Sequence, residues 1–138
     1  MDFEKLKAQL VIDEGKRSRI YTDTVGKVTG GVGRNLTDRP FSEDEITLML
    51  ENDIALAASE LDRVAPWWKT LNDARQNVMA NLCFNLGAPR LLGFKNFLSY
   101  AQAGRFDAAA AELLNSKWAV QVGQRAQRLA KVMREGEF

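Results

Sequence analysis

With 138 residues, no histidine and one cysteine, the chain has room for one domain with an apolar core. It has no means of Ser-His-Asp, Cys-His or histidine–metal chemistry, and no internal disulfide. A hydrophobic share of 46%, a charged share of 27% and a net charge of +1 exclude a disordered chain. No run approaches the ~18 apolar residues of a membrane-spanning helix, and no basic-aromatic pattern suggests a nucleic-acid reader.

Phe3, Leu6 and Leu10 recur at helical spacing, which predicts an amphipathic helix over 3–13 with Glu14 at its end, before Gly15. From Ile20 to Leu36 the strand formers Tyr21, Thr22, Thr24, Val25, Val28, Thr29 and Val32 are broken by Gly26, Gly30, Gly31 and Gly33. Short strands with glycine turns predict a small antiparallel sheet, a first lobe. Ser42-Glu43-Asp44-Glu45 reads as a capping box, with Phe41 and Ile46 in the positions of a hydrophobic staple. The helix it opens carries Ile46, Leu50, Ile54, Ala58 and Leu61 on one face and ends before Pro66.

The rest reads as helical. Residues 72–86 start at an Asn72 cap and stop at Gly87, and Val78, Met79, Leu82, Cys83 and Leu86 cover more than one face, as in a core helix. Cys83 therefore reads as a buried thiol. Further helices are expected over 94–102, 107–115 and 124–134, separated by Gly104, the Lys117-Trp118 region and Gly123. The start of the chain lacks the apolar run of a signal peptide, so no export segment is expected.

Charge is uneven. Residues 1–60 hold 8 Lys+Arg against 12 Asp+Glu, and residues 61–138 hold 11 against 6. A basic half suits an anionic polymer such as a cell wall, and equally an ordinary solvated surface. No nucleophile elbow, phosphate loop, dinucleotide fingerprint or metal-ligand spacing occurs. Acid–base work falls to carboxylates, and Glu14, Asp23 and Thr29 remain. Glycosidic cleavage needs a protonated acid at the leaving oxygen and a second group for the opposite face. Partial desolvation would raise the pKa of Glu14, a solvated aspartate can activate water, and a threonine hydroxyl can orient it. The same three residues read as a helix-end carboxylate, a turn aspartate and a strand threonine, and spacing alone does not bring them together.

The stretch Ile12-Asp13-Glu14-Gly15, Ile20-Tyr21-Thr22-Asp23-Thr24, then Gly26, Thr29 and Gly31-Val32-Gly33 resembles the active-site segment of the phage lysozyme family of glycoside hydrolases. Phe84-Asn85-Leu86-Gly87, Gly93-Phe94-Lys95-Asn96, Ser116-Lys117-Trp118 and Gln124-Arg125-Ala126 resemble that family's C-terminal lobe, so the likeness covers nearly the whole chain. The resemblance implies a mostly helical α+β, two-lobed lysozyme-like fold in one domain over 1–138. Its parts are a first helix and β-sheet lobe (1–41), a connecting helix (42–65) and a helical lobe (66–138). It implies cleavage of the β-1,4 bond between N-acetylmuramic acid and N-acetylglucosamine in peptidoglycan, with inversion, which requires about 6.5–9.5 Å between the two carboxyl groups. Glu14 is then the general acid, and Asp23 and Thr29 hold or activate the attacking water. Arg125 supports Glu14, and Asn35, Phe84, Asn85 and Phe97 fall at substrate-cleft positions. No cofactor or metal is implied.

Two positions depart from the family pattern. Arg34 stands where members usually have histidine, and it can pair with Asp13; Gly30 replaces an apolar residue and is expected to loosen the strand around Thr29. The implied setting is a monomer that waits in the host cytoplasm for a holin, or is carried on a virion tail. A lytic transglycosylase, which needs only the glutamate, and a catalytically inactive wall-binding module are the alternatives.

Overall fold

Asp2 opens the first helix: its carboxylate accepts a hydrogen bond from the Lys5 N–H at 3.0 Å, supplying a partner to one of the four free donors of a helix start. Helix α1 runs Phe3–Glu14 and stops at Gly15. In the computed structural model, which describes residues 1–138, none of its residues is buried. The apolar stripe read at Phe3, Leu6 and Leu10 is therefore not covered; Leu6 is half-buried and the other two are exposed.

The strands are β1 (Arg17–Thr22), β2 (Val28–Gly31) and β3 (Arg34–Asn35), antiparallel in the order β1-β2-β3. Tyr21 pairs with Thr29 and Thr22 with Val28, while Arg17 pairs with Gly31, so Ser18, Arg19 and Ile20 bulge opposite Gly30. A Cβ on Gly30 would meet Ile20 Cγ2 and Leu36 Cδ1, each at 3.4 Å. Those are van der Waals contact distances, so Gly30 lies packed against Ile20 and Leu36.

Helix α2 spans Glu43–Val64. Its start is the capping box: Glu45 N–H donates to Ser42 Oγ at 3.2 Å, and Ser42 N–H donates to Glu45 Oε1 at 2.9 Å. The chain divides into two compact units, Met1–Leu48 and Met49–Phe138, with the boundary inside this helix and not at either end of it. Of the apolar face read along α2, Leu61 is buried, whereas Ile46, Leu50 and Ile54 remain about half exposed.

Unit Met49–Phe138 is entirely helical. After a 3-10 turn at Pro66–Thr70 come α3 (Asp73–Leu86), α4 (Ala88–Leu92), α5 (Lys95–Gln102), α6 (Phe106–Leu114), α7 (Lys117–Val122) and α8 (Gln124–Glu135). Helix α3 is the core helix its composition predicts, with Val78, Met79, Leu82, Cys83 and Leu86 buried. Around it Leu61, Leu91, Phe97, Leu113, Trp118 and Met133 close one continuous core. Alanines 109, 110, 126 and 130 are buried where α6 and α8 pack. The sequence reading missed α4 and α7. Lys117-Trp118 is no separator: Ser116 caps a helix there by accepting from Ala119 N–H at 3.1 Å.

Candidate active site

In unit Met1–Leu48, helix α1 delivers Glu14 and the turn between β2 and β3 delivers Gly33. A Cβ on Gly33 would lie 2.8 Å from Glu14 Oε2 and 3.0 Å from Glu14 Cβ, and Gly33 has φ +66°. Only glycine permits this backbone to lie against that carboxylate. Glu14 is exposed to water, so the condition of partial desolvation is not met in the free chain.

Asp23 closes the β1–β2 turn. Its Oδ1 accepts from the N–H groups of Val25 (2.9 Å) and Lys27 (2.8 Å), and its own N–H donates to Lys27 O at 2.8 Å. This is an aspartate turn, with glycine supplying the positive φ of +84° at residue 26. Oδ1 is committed to the backbone, which leaves Oδ2 for other partners. Thr29 sits in the middle of the central strand, 5% exposed, and its hydroxyl donates to Lys27 O at 3.1 Å. Asn35 spends its amide locally: Nδ2 donates to Asp38 Oδ2 at 2.7 Å, and its Oδ1 accepts from Asp38 N–H at 3.1 Å. Hydrogen bonds from Lys27 and Asn35 in turn lower the pKa of Asp38. Arg34 pairs with Glu45, not with Asp13. The Glu45 carboxyl is lowered to about 2, chiefly by hydrogen bonding to the Ser42 backbone and side chain, with Arg34 adding to it.

The other residues belong to unit Met49–Phe138. Phe84 and Arg125 line a groove of about 370 Å³ with Leu50, Ile54, Asn77 and Asn81. The Arg125 guanidinium is held by Asn81, whose Oδ1 accepts from Nη2 at 2.7 Å and from Nε at 3.0 Å. Asn85 Oδ1 accepts from Trp118 Nε1 at 2.8 Å and so ties α3 to α7. Phe97 is 1% exposed and belongs to the core. Asn81 is not singled out by the sequence reading, although a signal exists: Asn77, Asn81 and Asn85 recur every four residues along α3.

Helix end, glycine turn, aspartate turn and buried threonine lie along one segment, and comparison with known proteins identifies it. The Phage lysozyme family model matches residues 12–136. The chain belongs to the phage lysozyme family. The matched range begins two residues before Glu14 and takes in every candidate residue. The chain is similar to a probable T4-type lysozyme 2 of Dictyostelium discoideum, 26% identical over 95% of this chain and 94% of that protein. A probable T4-type lysozyme 1 of the same organism is 24% identical over 95% of this chain and 94% of its own length. The pre-baseplate central spike protein Gp5 of Enterobacteria phage T4 is 28% identical over 91% of this chain, which spans 27% of that protein. As a phage lysozyme family member the chain is a muramidase-type glycoside hydrolase, and its substrate class is peptidoglycan. Its fold is the mostly helical α+β lysozyme fold. None of its helices is long and apolar enough to cross a membrane.

Proposed function

We propose that the chain hydrolyses the β-1,4 bond between N-acetylmuramic acid and N-acetylglucosamine with inversion, Glu14 giving its proton to the leaving oxygen. The observation that carries this reading is the close approach of Gly33 to the Glu14 carboxylate, which makes that carboxylate the wall of a glycine-lined surface. A sugar can approach there without meeting a side chain at residue 33. Glu14 is open to water in the free protein, so exclusion of water falls to the bound glycan. Asp23 then uses its free oxygen to draw a proton from water, while Thr29 orients that water. The family resemblance assigns Arg125 to support of the acid, and Asn35, Phe84, Asn85 and Phe97 to substrate contact.

The biological role that follows is lysis of a bacterial host by a monomeric endolysin that reaches the wall from the cytoplasm after a holin opens the membrane. Similarity to a phage spike protein supports a second setting, a lysozyme carried on the virion tail. The chemistry is tested by proton NMR of a purified glycan strand during digestion. A first-formed α anomer at the new reducing end is expected for inversion. A β anomer overturns inversion, and a 1,6-anhydromuramic end overturns hydrolysis in favour of a transglycosylase. Binding to walls without any cleavage would leave only a binding module.

A further inference from the structure

We propose that a groove on the β-sheet unit binds the carboxylate-bearing peptide branches of peptidoglycan through Arg19 and Arg39, an inference that rests on the muramidase reading of Glu14. The groove has a volume of about 520 Å³ and is walled by the backbone of Gly30–Gly33. Unit Met1–Leu48 carries 8 Lys+Arg and 9 Asp+Glu, so a local excess of positive charge is not a general property of its surface.

Four cations of the unit, Lys16, Arg17, Arg19 and Arg39, lie in no ion pair, and two of them line the groove. Arg34 is committed to Glu45, and outside the groove Lys27 is committed to Asp38. Arg19 and Arg39, both exposed on the groove, have no carboxylate within ion-pair distance. Two guanidinium groups are therefore uncompensated there, and guanidinium suits bidentate pairing with carboxylate. Between them Ile20, Val32 and Phe41 expose apolar surface, which suits the methyl and methylene groups of a short peptide.

Charge complementarity and position select the occupant. In peptidoglycan the lactyl carboxyl of each branched muramic residue is tied up as an amide, so the free carboxylates sit on the peptide branches. Gly33 lines the groove and also abuts Glu14, so the groove and the proposed acid share one wall. A glycan laid against Glu14 has the groove beside it to receive a branch.

The test compares strands bearing peptides with strands stripped by an amidase and then coupled to methylamine, so that the lactyl carboxyl freed by stripping is again a neutral amide. Arg19→Ser/Arg39→Ser is expected to lower the ratio of kcat/KM on peptide-bearing to stripped strands about tenfold, the loss of one or two exposed charge-assisted pairs. Arg128→Ser/Lys131→Ser, which removes two exposed cations from α8, is expected to leave the ratio unchanged. An unchanged ratio in the first variant, or an equal fall in both, overturns the proposal. Titration of the ¹⁵N-labelled chain with free alanyl-isoglutamyl-diaminopimelate adds a readout independent of catalysis. Amide shifts at Gly30, Gly31 and Gly33 are expected in the wild type and not in the groove variant; shifts confined to other residues overturn the groove. If the wild type cuts neither strand, the muramidase reading fails, and the peptide titration alone decides whether the groove holds a branch.

Discussion

Glu14 and Gly33 constrain each other. Gly33→Ala places a methyl within 2.8 Å of the carboxylate and forces alanine to φ +66°. The positive φ alone costs about 1–2 kcal/mol. The expected outcome is a lower denaturant midpoint together with loss of lysis; an alanine variant with wild-type activity contradicts the close approach. Asp23 has two separable duties, and two substitutions divide them. Asp23→Asn keeps an oxygen acceptor for the Val25 and Lys27 N–H groups but removes the negative charge. Asp23→Ala removes both. Asparagine should retain the hairpin by amide hydrogen exchange and still lose activity on the order of 10²–10⁴-fold, the usual worth of a general base; alanine should lose both. An active asparagine variant would confine Asp23 to the turn. Glu14, Asp23 and Thr29 stand out as candidates in the sequence, but their surroundings do not. Solvation of Glu14 depends on what stands around the helix end, and no spacing records that. Likewise Asn35 was read as cleft surface, yet Asp38 three residues on takes both ends of its amide.

At the scale of elements, caps do much of the fixing. Arg75 on α3 serves the end of α8: its Nε donates to Met133 O at 2.7 Å and Nη2 to Arg134 O at 3.0 Å, while the guanidinium lies 3.5 Å from the centre of the Phe106 ring. Arg75→Ala leaves two terminal carbonyls without that donor and is expected to cost about 2 kcal/mol of stability, read from denaturant unfolding. A cost near zero would mean that water replaces the cap. The capping box of α2 adds a pH dependence. Glu45 is held at about 2 in the folded chain against an ordinary 4.5. Its contribution is complete above the higher value and is lost as pH falls toward the lower one. Asp38 and Asp62 are lowered too, so the comparison must be with Glu45→Gln. That variant should show a smaller drop in stability than wild type between about pH 5 and pH 3; an equal drop contradicts the role of the cap. Capping motifs were legible because their partners lie within three residues. Helix α4 was not, since Ala88–Leu92 is five residues long and offers no period to read.

At the scale of the whole molecule, the division into helices and one small sheet followed from apolar period and glycine placement. The boundary between units did not, because Leu48 and Met49 lie in the middle of an uninterrupted helix. The exposed stripe of α1 marks the same limit: period places Phe3 and Leu10 on one face without saying what covers it. Phe97, a cleft position by resemblance, has its side chain in the core, which no period on its short helix records. Family membership covers residues 12–136 and places all candidate residues in one enzyme, while leaving the chemistry of each to experiment. The most direct test digests peptidoglycan in water enriched in heavy oxygen with the wild type and with Glu14→Gln, followed by mass spectrometry of the muropeptides. The wild type should yield reducing N-acetylmuramic ends carrying the label, and the glutamine variant, folded as judged by circular dichroism, should yield none. Anhydro ends from the wild type, or undiminished labelled product from Glu14→Gln, would contradict proton donation by Glu14 to a bond broken by water.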